Sequence, residues 1–328
     1  MIENKKILLT GAAGFIASFT AQKLLADGYE VTGIDNMNDY YDVRLKKYRL
    51  KKLRAIPGFS FIKTDIEKLP VLEKLFSKNK FTAVINLAAR AGVRASMNNP
   101  RIYLSTNTLG TLNILECMKK YQVQKLVLAS SSSLYAGQSM PFHEEQPVNS
   151  PISPYAATKK AAEMLCRAWH FLYRIDISIL RFFTVYGPAG RPDMSIFRFI
   201  KWIDEEKPIN IYGDGTQSRD FTWVEDVADG VCRALKPLGC EIINIGGGRE
   251  AGSLLEIIAK IEKILGKKAR LNFLPCHAAD VKETLADIRK AKNLLGWEPV
   301  TGIDTGLFKC ADWYLKNKAW CKNIATGE

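Results

Sequence analysis

Three side chains carry the first chemical suggestion in this sequence: Tyr155, Lys159 and Ser131. Tyr155 and Lys159 stand four residues apart in Tyr155-Ala156-Ala157-Thr158-Lys159, which places them on one face of a helix. Pro154 suits the first turn of that helix. A lysine ammonium beside a phenol favours the phenolate, so the pairing predicts a lowered tyrosine pKa. A phenolate next to a serine hydroxyl can take the proton of an alcohol while a hydride leaves its carbon. The hydroxyl comes from Val127-Leu128-Ala129-Ser130-Ser131-Ser132-Ser133, an apolar strand running out into four serines. Tyr-x-x-x-Lys alone also arises by chance as a surface pair. Its weight here depends on what the rest of the chain supplies.

The elements upstream supply a dinucleotide site. Lys6-Ile7-Leu8-Leu9-Thr10 reads as a short strand, followed by Gly11-Ala12-Ala13-Gly14-Phe15-Ile16-Ala17 and an amphipathic helix through Leu24, Leu25 and Asp27. Glu30-Val31-Thr32-Gly33-Ile34-Asp35 is the next strand, with Asn36 after it. Strand, glycine loop, helix, strand and acid make the dinucleotide-binding unit. Gly11 permits the tight turn, and Gly14 lets the backbone approach a pyrophosphate at the helix N-terminus together with Phe15 and Ile16. Asp35 can accept from a ribose 2′-hydroxyl and would repel a 2′-phosphate, which favours NAD over NADP. Strands at residues 59–63, 83–87, 125–128 and 175–180 alternate with helices. They bring Asp65 and Ile66 to the adenine side and Leu87, Ala88 and Ala89 to a strand end where a cofactor can lie. The alternation predicts an α/β fold, a doubly wound parallel sheet with ligands at the carboxyl ends of its strands. After Arg181 the pattern changes to turn-rich stretches such as Gly187-Pro188-Ala189-Gly190-Arg191-Pro192 and Gly213-Asp214-Gly215, with helices at residues 254–265 and 304–316. Residues 1–181 are expected to form the NAD-binding domain. Residues 182–328 are expected to form mainly a smaller mixed α/β lobe over the cleft, with chain crossings back into the first domain allowed.

Composition sets the outer limits. The chain has 328 residues, enough for a full core. No apolar run reaches the length of a membrane span, and the start of the chain lacks a signal-peptide core, so the expected location is the cytoplasm. Seven scattered cysteines without Cys-x-x-Cys, and three dispersed histidines, predict neither a disulfide framework nor a metal site. The net charge of +13 suits an anionic partner. Much of it sits between Arg44 and Arg54 on several faces of one helix, which reads as solvated. No nucleic-acid motif accompanies it, and neither nucleic acid nor membrane is an expected partner.

Gly11-x-x-Gly14-x-x-Ala17, Asp35, the Ser131 cluster and Tyr155-x-x-x-Lys159 together resemble the extended short-chain dehydrogenase/reductase family of nucleotide-sugar enzymes. So do Arg181-Phe182-Phe183-Thr184-Val185-Tyr186-Gly187-Pro188, Arg219-Asp220-Phe221 and Asp280-Val281. Within that family, Asn38-Asp39-Tyr40-Tyr41-Asp42, Ala91-Gly92-Val93-Arg94 and Gly190-Arg191-Pro192-Asp193-Met194 are most similar to the UDP-glucuronate 4-epimerases. The resemblance implies that Tyr155 is the base at the sugar 4-hydroxyl. Lys159 would bind the nicotinamide ribose and tune Tyr155, and Ser131 would hold the reacting oxygen. Asn107 and the Phe182–Phe183 strand end would line the cleft, Arg94 would meet the substrate, Arg219 the diphosphate and Asp280 the uridine ribose. It implies bound NAD, a UDP-sugar substrate and a homodimer built on the helices around Asn107 and Tyr155.

The serine cluster separates competing chemistries. Family dehydratases carry an Asp-Glu pair where this chain has Ser132-Ser133, and hydroxyls of ordinary pKa cannot replace those acids. Family decarboxylases usually carry Glu at the position of Ser133. A 4-keto uronic acid is a β-keto acid and loses CO2 easily, so an epimerase must hold its carboxylate out of the bond-breaking orientation. Ser132, Ser133 and Thr184 are expected to do so, with Arg191 nearby. The plainer alternatives are that Ser132 and Ser133 only cap the strand end, that Arg191 joins the lobes as a salt bridge, that Arg219 braces Asp220 or Asp226, and that Tyr40-Tyr41 is packing. Asn86, Arg90, Ala95, Ala136 and His277 depart from the family pattern. They leave room for another UDP-uronic acid or a UDP-hexose as substrate, and the first rival is a UDP-glucose or UDP-N-acetylhexosamine epimerase. The remaining rivals are a decarboxylase and a catalytically silent NAD-binding protein.

Overall fold

The computed structural model describes residues 5–249, 251–275 and 281–327. Six parallel strands come first, β1 (Lys6–Thr10), β2 (Glu30–Asp35), β3 (Phe59–Lys63), β4 (Ala83–Asn86), β5 (Lys125–Ser131) and β6 (Asp176–Phe182). The intervening helices are α1 (Phe15–Ala26), α2 (Val43–Arg54), α3 (Leu69–Ser77), α4 (Val93–Asn98), α5 (Pro100–Tyr103), α6 (Gly110–Lys120) and α7 (Pro154–Tyr173). A π-turn over Leu104–Leu109 leads into α6, where the sequence predicts one continuous helix from Asn107. Then follow β7 (Thr184–Tyr186), α8 (Ser195–Asp204), β8 (Pro208–Tyr212), β9 (Ser218–Arg219), β10 (Phe221–Trp223) and α9 (Val224–Arg233). The chain ends through β11 (Cys240–Ile245), β12 (Gly252–Ser253), α10 (Leu254–Leu265), β13 (Arg270–Leu274), α11 (Arg289–Leu295), α12 (Ile303–Lys316) and α13 (Lys318–Cys321).

The central sheet is parallel throughout, in the order β11-β6-β5-β4-β1-β2-β3. Parallel strands need helical crossovers, so both faces are covered and the strands are apolar on both sides. Ile7 and Leu9 of β1, Val127 and Ala129 of β5, and Leu180 and Phe182 of β6 face a core shared with α1, α9 and α11. Leu8, Leu126, Leu128, Ile177 and Ile179 face the opposite core with α3, α6 and α7. Beyond β6, β7 pairs with β10 and β8 with β13, over a third core of Tyr186, Phe199, Ile209, Trp223, Ile257 and Leu307. β11 lies back in the main sheet beside β6.

The basic helix α2 differs from expectation. Lys46 and Arg49 are buried, not solvated. Arg49 donates to the carbonyls of Ala13, Ala189 and Gly190 and to the Tyr41 hydroxyl, and so ties the glycine loop to the Gly190 turn. The charge pattern suggests water, but these partners arrive only through the tertiary fold. Among the described residues no helix is long and apolar enough to cross a membrane, and no group of residues suits a metal ion. The six described cysteines are free thiols.

Candidate active site

A cleft of about 460 Å3 opens at the carboxyl ends of the sheet strands. Its floor is the turn between β1 and α1. Gly11 has φ +67°, and a Cβ there would lie 2.9 Å from the Ala88 backbone. Gly14 donates to the Gly11 carbonyl at 2.7 Å, and a Cβ on Gly14 would sit 2.8 Å from that oxygen. Only glycine fits this cradle, which leaves the N-terminal amides of α1 open to a phosphate. Asp35 closes one end. Its carboxylate accepts from Ala13 N at 3.2 Å and Met37 N at 2.7 Å and keeps further acceptor capacity toward the cleft. Asn36 donates to Asp65 at 2.6 Å and fixes the rim beside Ile66. Leu87, Ala88 and Ala89 form the wall at the end of β4. This donor set, with an acid rather than a basic pocket at the end of β2, fits NAD.

The other end holds Tyr155, Lys159 and Ser131. Ser153 caps α7 by accepting from Ala156 N at 3.2 Å, and Pro154 takes the first turn. The helix therefore begins where it presents Tyr155 and Lys159, both buried, to the cleft. Lys159 Nζ donates to the Ala129 carbonyl of β5 at 2.9 Å. Burial pushes Lys159 down to about 8, against the opposing pull of Glu163. Burial also pushes the Tyr155 phenol up, while its hydrogen bond with Ser131 and the nearby Arg191 charge pull it down. The expected lowering of Tyr155 is therefore reversed in the protein alone. Desolvation of the phenolate outweighs its helpers, and the lysine ammonium spends a hydrogen bond on the strand.

Ser131 accepts from Ser133 N at 3.2 Å and lies 3.1 Å from the Ser133 hydroxyl. Strand-end capping is thus present, and Ser131 performs it. Ser132, Ser133 and Thr184 line the cleft with Phe182, Phe183 and Arg219. Thr184 is fixed by its N–H to the Asp220 carbonyl at 3.1 Å. Arg219 donates to the carbonyls of Ser218 at 2.8 Å and Lys282 at 3.2 Å. Asp220 accepts instead from the backbone of Gly247, Gly248 and Ala286. Arg191 reaches the cleft, held by a two-point ion pair with Asp193 two residues on. Burial opposes its charge, and Asp193 more than offsets that.

Two predicted site residues stand apart. Asn107 does not line the cleft. Its amide donates to the Arg90 carbonyl and to Thr158 and accepts from Arg90 N, so it braces the wall from behind. Arg94 also lies outside the lining and stacks over Tyr212, 4.3 Å from its ring centre. Asp280 and His277 fall outside the described residues. Asn86 is buried between Thr10 and Thr111 and serves the sheet.

The sequence reading missed several lining residues. Tyr40, read as packing, lines the cleft, bonds the Ala91 carbonyl and lies 3.1 Å from the Tyr103 hydroxyl. The Arg90 and Arg191 guanidiniums each sit 5.4 Å from its ring centre. Lys46 approaches Asp35 to 3.7 Å. The available signal was the Asn38–Asp42 motif itself, in which a polar, aromatic run follows the second strand.

Comparison with known proteins agrees with this geometry. Residues 7–246 match the model of the NAD dependent epimerase/dehydratase family. A UDP-glucuronate 4-epimerase of Thermodesulfobacterium geofontis is 56% identical over 97% of this chain and 98% of that protein. The UDP-glucuronic acid 4-epimerase from Bacillus cereus, solved in complex with UDP-glucuronic acid and NAD, is 41% identical with a TM-score of 0.90, covering 95% of this chain and 99% of that one. A UDP-glucose 4-epimerase from Thermotoga maritima, solved with UDP-glucose, is 30% identical with a TM-score of 0.87 over the same shares. Fold, cradle and Tyr-Lys-Ser cluster thus run together with a match over most of the chain, and the chain belongs to the NAD dependent epimerase/dehydratase family.

Proposed function

We propose that this protein is an NAD-dependent UDP-sugar 4-epimerase that interconverts UDP-glucuronate and UDP-galacturonate. The observation that carries the reading is the convergence of Tyr155, Lys159 and Ser131 on one cleft with the dinucleotide cradle, with hydroxyls rather than acids at Ser132 and Ser133. NAD, when bound, supplies the reversible two-electron oxidation at C4. Tyr155 takes the 4-hydroxyl proton and later returns it, while Ser131 holds the oxygen that becomes the ketone. Lys159 supplies the positive charge that favours the Tyr155 phenolate. The 4-keto sugar turns over within the cleft, so the hydride returns to C4 on the opposite face and Tyr155 gives the proton back to the 4-oxygen. Ser132, Ser133 and Thr184 hold the carboxylate by hydrogen bonds, with Arg191 beside them. Arg219 is assigned to the diphosphate and Asp280 to the uridine ribose, on resemblance. Asn107 and Arg94 act at one remove, by bracing Arg90 and Tyr212.

The same reading includes two lobes divided near residue 181, with α9, β11 and α11 counted with the first because they share its core and sheet. It also includes a homodimer, no nucleic-acid or membrane partner, and a cytoplasmic setting in keeping with the free thiols.

Proton NMR of UDP-glucuronate incubated with the purified protein, without added NAD, tests the proposal. UDP-galacturonate without CO2 loss is the expected product. A UDP-pentose would move the chain to the decarboxylases and overturn the role given to Ser132 and Ser133. No change, followed by turnover of UDP-glucose or UDP-N-acetylglucosamine, would overturn the substrate.

A further inference from the structure

Behind the reactive face of α7 lies a charge that the proposed chemistry does not use. Tyr155, Lys159 and Glu163 follow one another at four-residue intervals, so they share a stripe of the helix. Each meets one of three consecutive residues of β5. Tyr155 bonds with Ser131, Lys159 donates to the Ala129 carbonyl at 2.9 Å, and Glu163 accepts from the Ser130 hydroxyl at 2.7 Å. Ser130 points to the α7 side of the sheet because it keeps the alternation of Leu126 and Leu128.

Glu163 is fully buried. It forms a two-point pair with Arg181 of β6, at 2.9 Å to Nε and 2.8 Å to Nη2. Arg181 in turn donates to the Tyr135 hydroxyl at 2.8 Å, which donates to Asn244 of β11 at 2.8 Å. A buried ion pair is costly to build, and replacing one with apolar side chains is often neutral or stabilising. Packing alone therefore does not account for it.

We propose that Glu163 is a positioning residue of the active site. It locks α7 in register with the Ser131 end of β5 and supplies the negative charge that faces the Lys159 ammonium. The charged and titratable groups around this stripe are few. Lys159 meets Glu163 on its own helix and a neutral carbonyl on β5. Glu163 meets Arg181 from β6 and Ser130 from β5, with Lys160 and Cys166 nearby on α7. Tyr155 meets Ser131, Arg191, Tyr40 and Tyr103. Glu163 is thus the carboxylate in reach of Lys159 among these groups. Removing it should make the lysine give up its proton earlier, and without that proton Tyr155 loses the charge that favours its phenolate. The link to turnover rests on the proposed epimerase reading; the link to Lys159 does not.

The test reads Lys159 directly. Protein labelled with ε-13C lysine is titrated by NMR, the Lys159 resonance being assigned by its loss in Lys159→Met. The parent midpoint is expected at about 8, where burial holds the lysine. Glu163→Gln should lower it by roughly one pH unit, since an opposite charge within a helical turn has that order of effect. The double variant Glu163→Gln with Arg181→Gln leaves no guanidinium buried without its partner, keeps the fold, and should show a lowering of the same sign. The alkaline limb of kcat should move with the midpoint while KM for the UDP-sugar stays within about twofold. A Lys159 midpoint that stays in place in the folded double variant overturns the proposal, whatever the substrate proves to be. A lowered midpoint with no movement of the kcat limb overturns the catalytic part.

Discussion

Lys159 is held near 8 rather than 10.5, mainly by burial. The unfolded chain therefore binds a proton between those values that the folded chain does not, and stability rises with pH across that window. Below about pH 8 the buried ammonium costs the fold on the order of 3 kcal/mol. The lost hydrogen bond to Ala129 returns about 1 kcal/mol of that. Lys159→Met should abolish turnover and yet raise stability by about 2 kcal/mol at pH 7, with the gain fading between about pH 8 and 10.5. Urea unfolding at several pH values checks both sign and window; a variant less stable at pH 7 would show that the burial cost is misjudged. Thr184 makes a prediction about product. Thr184→Val keeps the volume and removes a hydroxyl from the cleft, so the acid is held less firmly. UDP-pentose should appear beside UDP-galacturonate, or turnover of the acid should fall at least about tenfold, the loss of a single well-placed hydrogen bond being worth that much. Unchanged product ratio and kinetics would remove Thr184 from the carboxylate site.

At the scale of elements, one residue ties together three stretches of chain. Asp220 sits between β9 and β10 and accepts from Gly247, Gly248 and Ala286, while its own carbonyl holds Thr184 of β7. Gly247 is bound to this arrangement, since a Cβ there would overlap the Asp220 carboxylate. Asp220→Ala strands the buried N–H groups of Gly247 and Ala286, besides that of the exposed Gly248, and should cost on the order of 3 kcal/mol. Because β7 carries Thr184 and the cofactor cradle lies elsewhere, KM for the UDP-sugar should rise several-fold while NAD content, read from absorbance, stays near that of the parent. Loss of NAD in step with KM would mean that the strap serves the whole cleft. How legible these elements are in the sequence depends on their length and on where their partners lie. The long apolar strands, Gly11, Gly14 and the Tyr155–Lys159 spacing announce themselves through local periodicity and local geometry. The short strands after β6 do not. β9 and β12 have two residues each, too few for any period, and β8 and β13 pair from 62 positions apart, Pro208 opposite Arg270. Lys46 and Arg49 read as solvated because Asp35 and the Ala189 carbonyl reach them only in the folded chain. Glu163 is silent for the same reason, its meaning resting on Arg181 and Ser130.

At the scale of the whole molecule, α7 has an inner face turned to the cleft and β5 and an outer face with exposed apolar side chains. Tyr155, Lys159 and Glu163 face inward, whereas Met164 and Phe171 are exposed on the same helix. Leu104 and Leu109, on the π-turn packed beside α7, are exposed too, at 57% and 46%. Apolar groups grouped on adjoining helical segments favour burial by about 25 cal/mol per Å2. A second copy presenting the same face would pair them about a two-fold axis, the commonest symmetry of soluble assemblies. The purified protein should therefore sediment at twice its chain mass of 36.8 kDa. Leu104→Glu combined with Met164→Glu places like charges on that face and should yield monomers at micromolar concentration. Since the outer face backs the helix that presents Tyr155, the monomer should keep the fold and lose activity several-fold, its α7 amides exchanging faster with deuterium. A parent protein that sediments as a monomer would remove the dimer. Monomers with full activity would leave it in place and show that the Tyr155 end of α7 is held from within, by β5 and the Glu163–Arg181 pair alone.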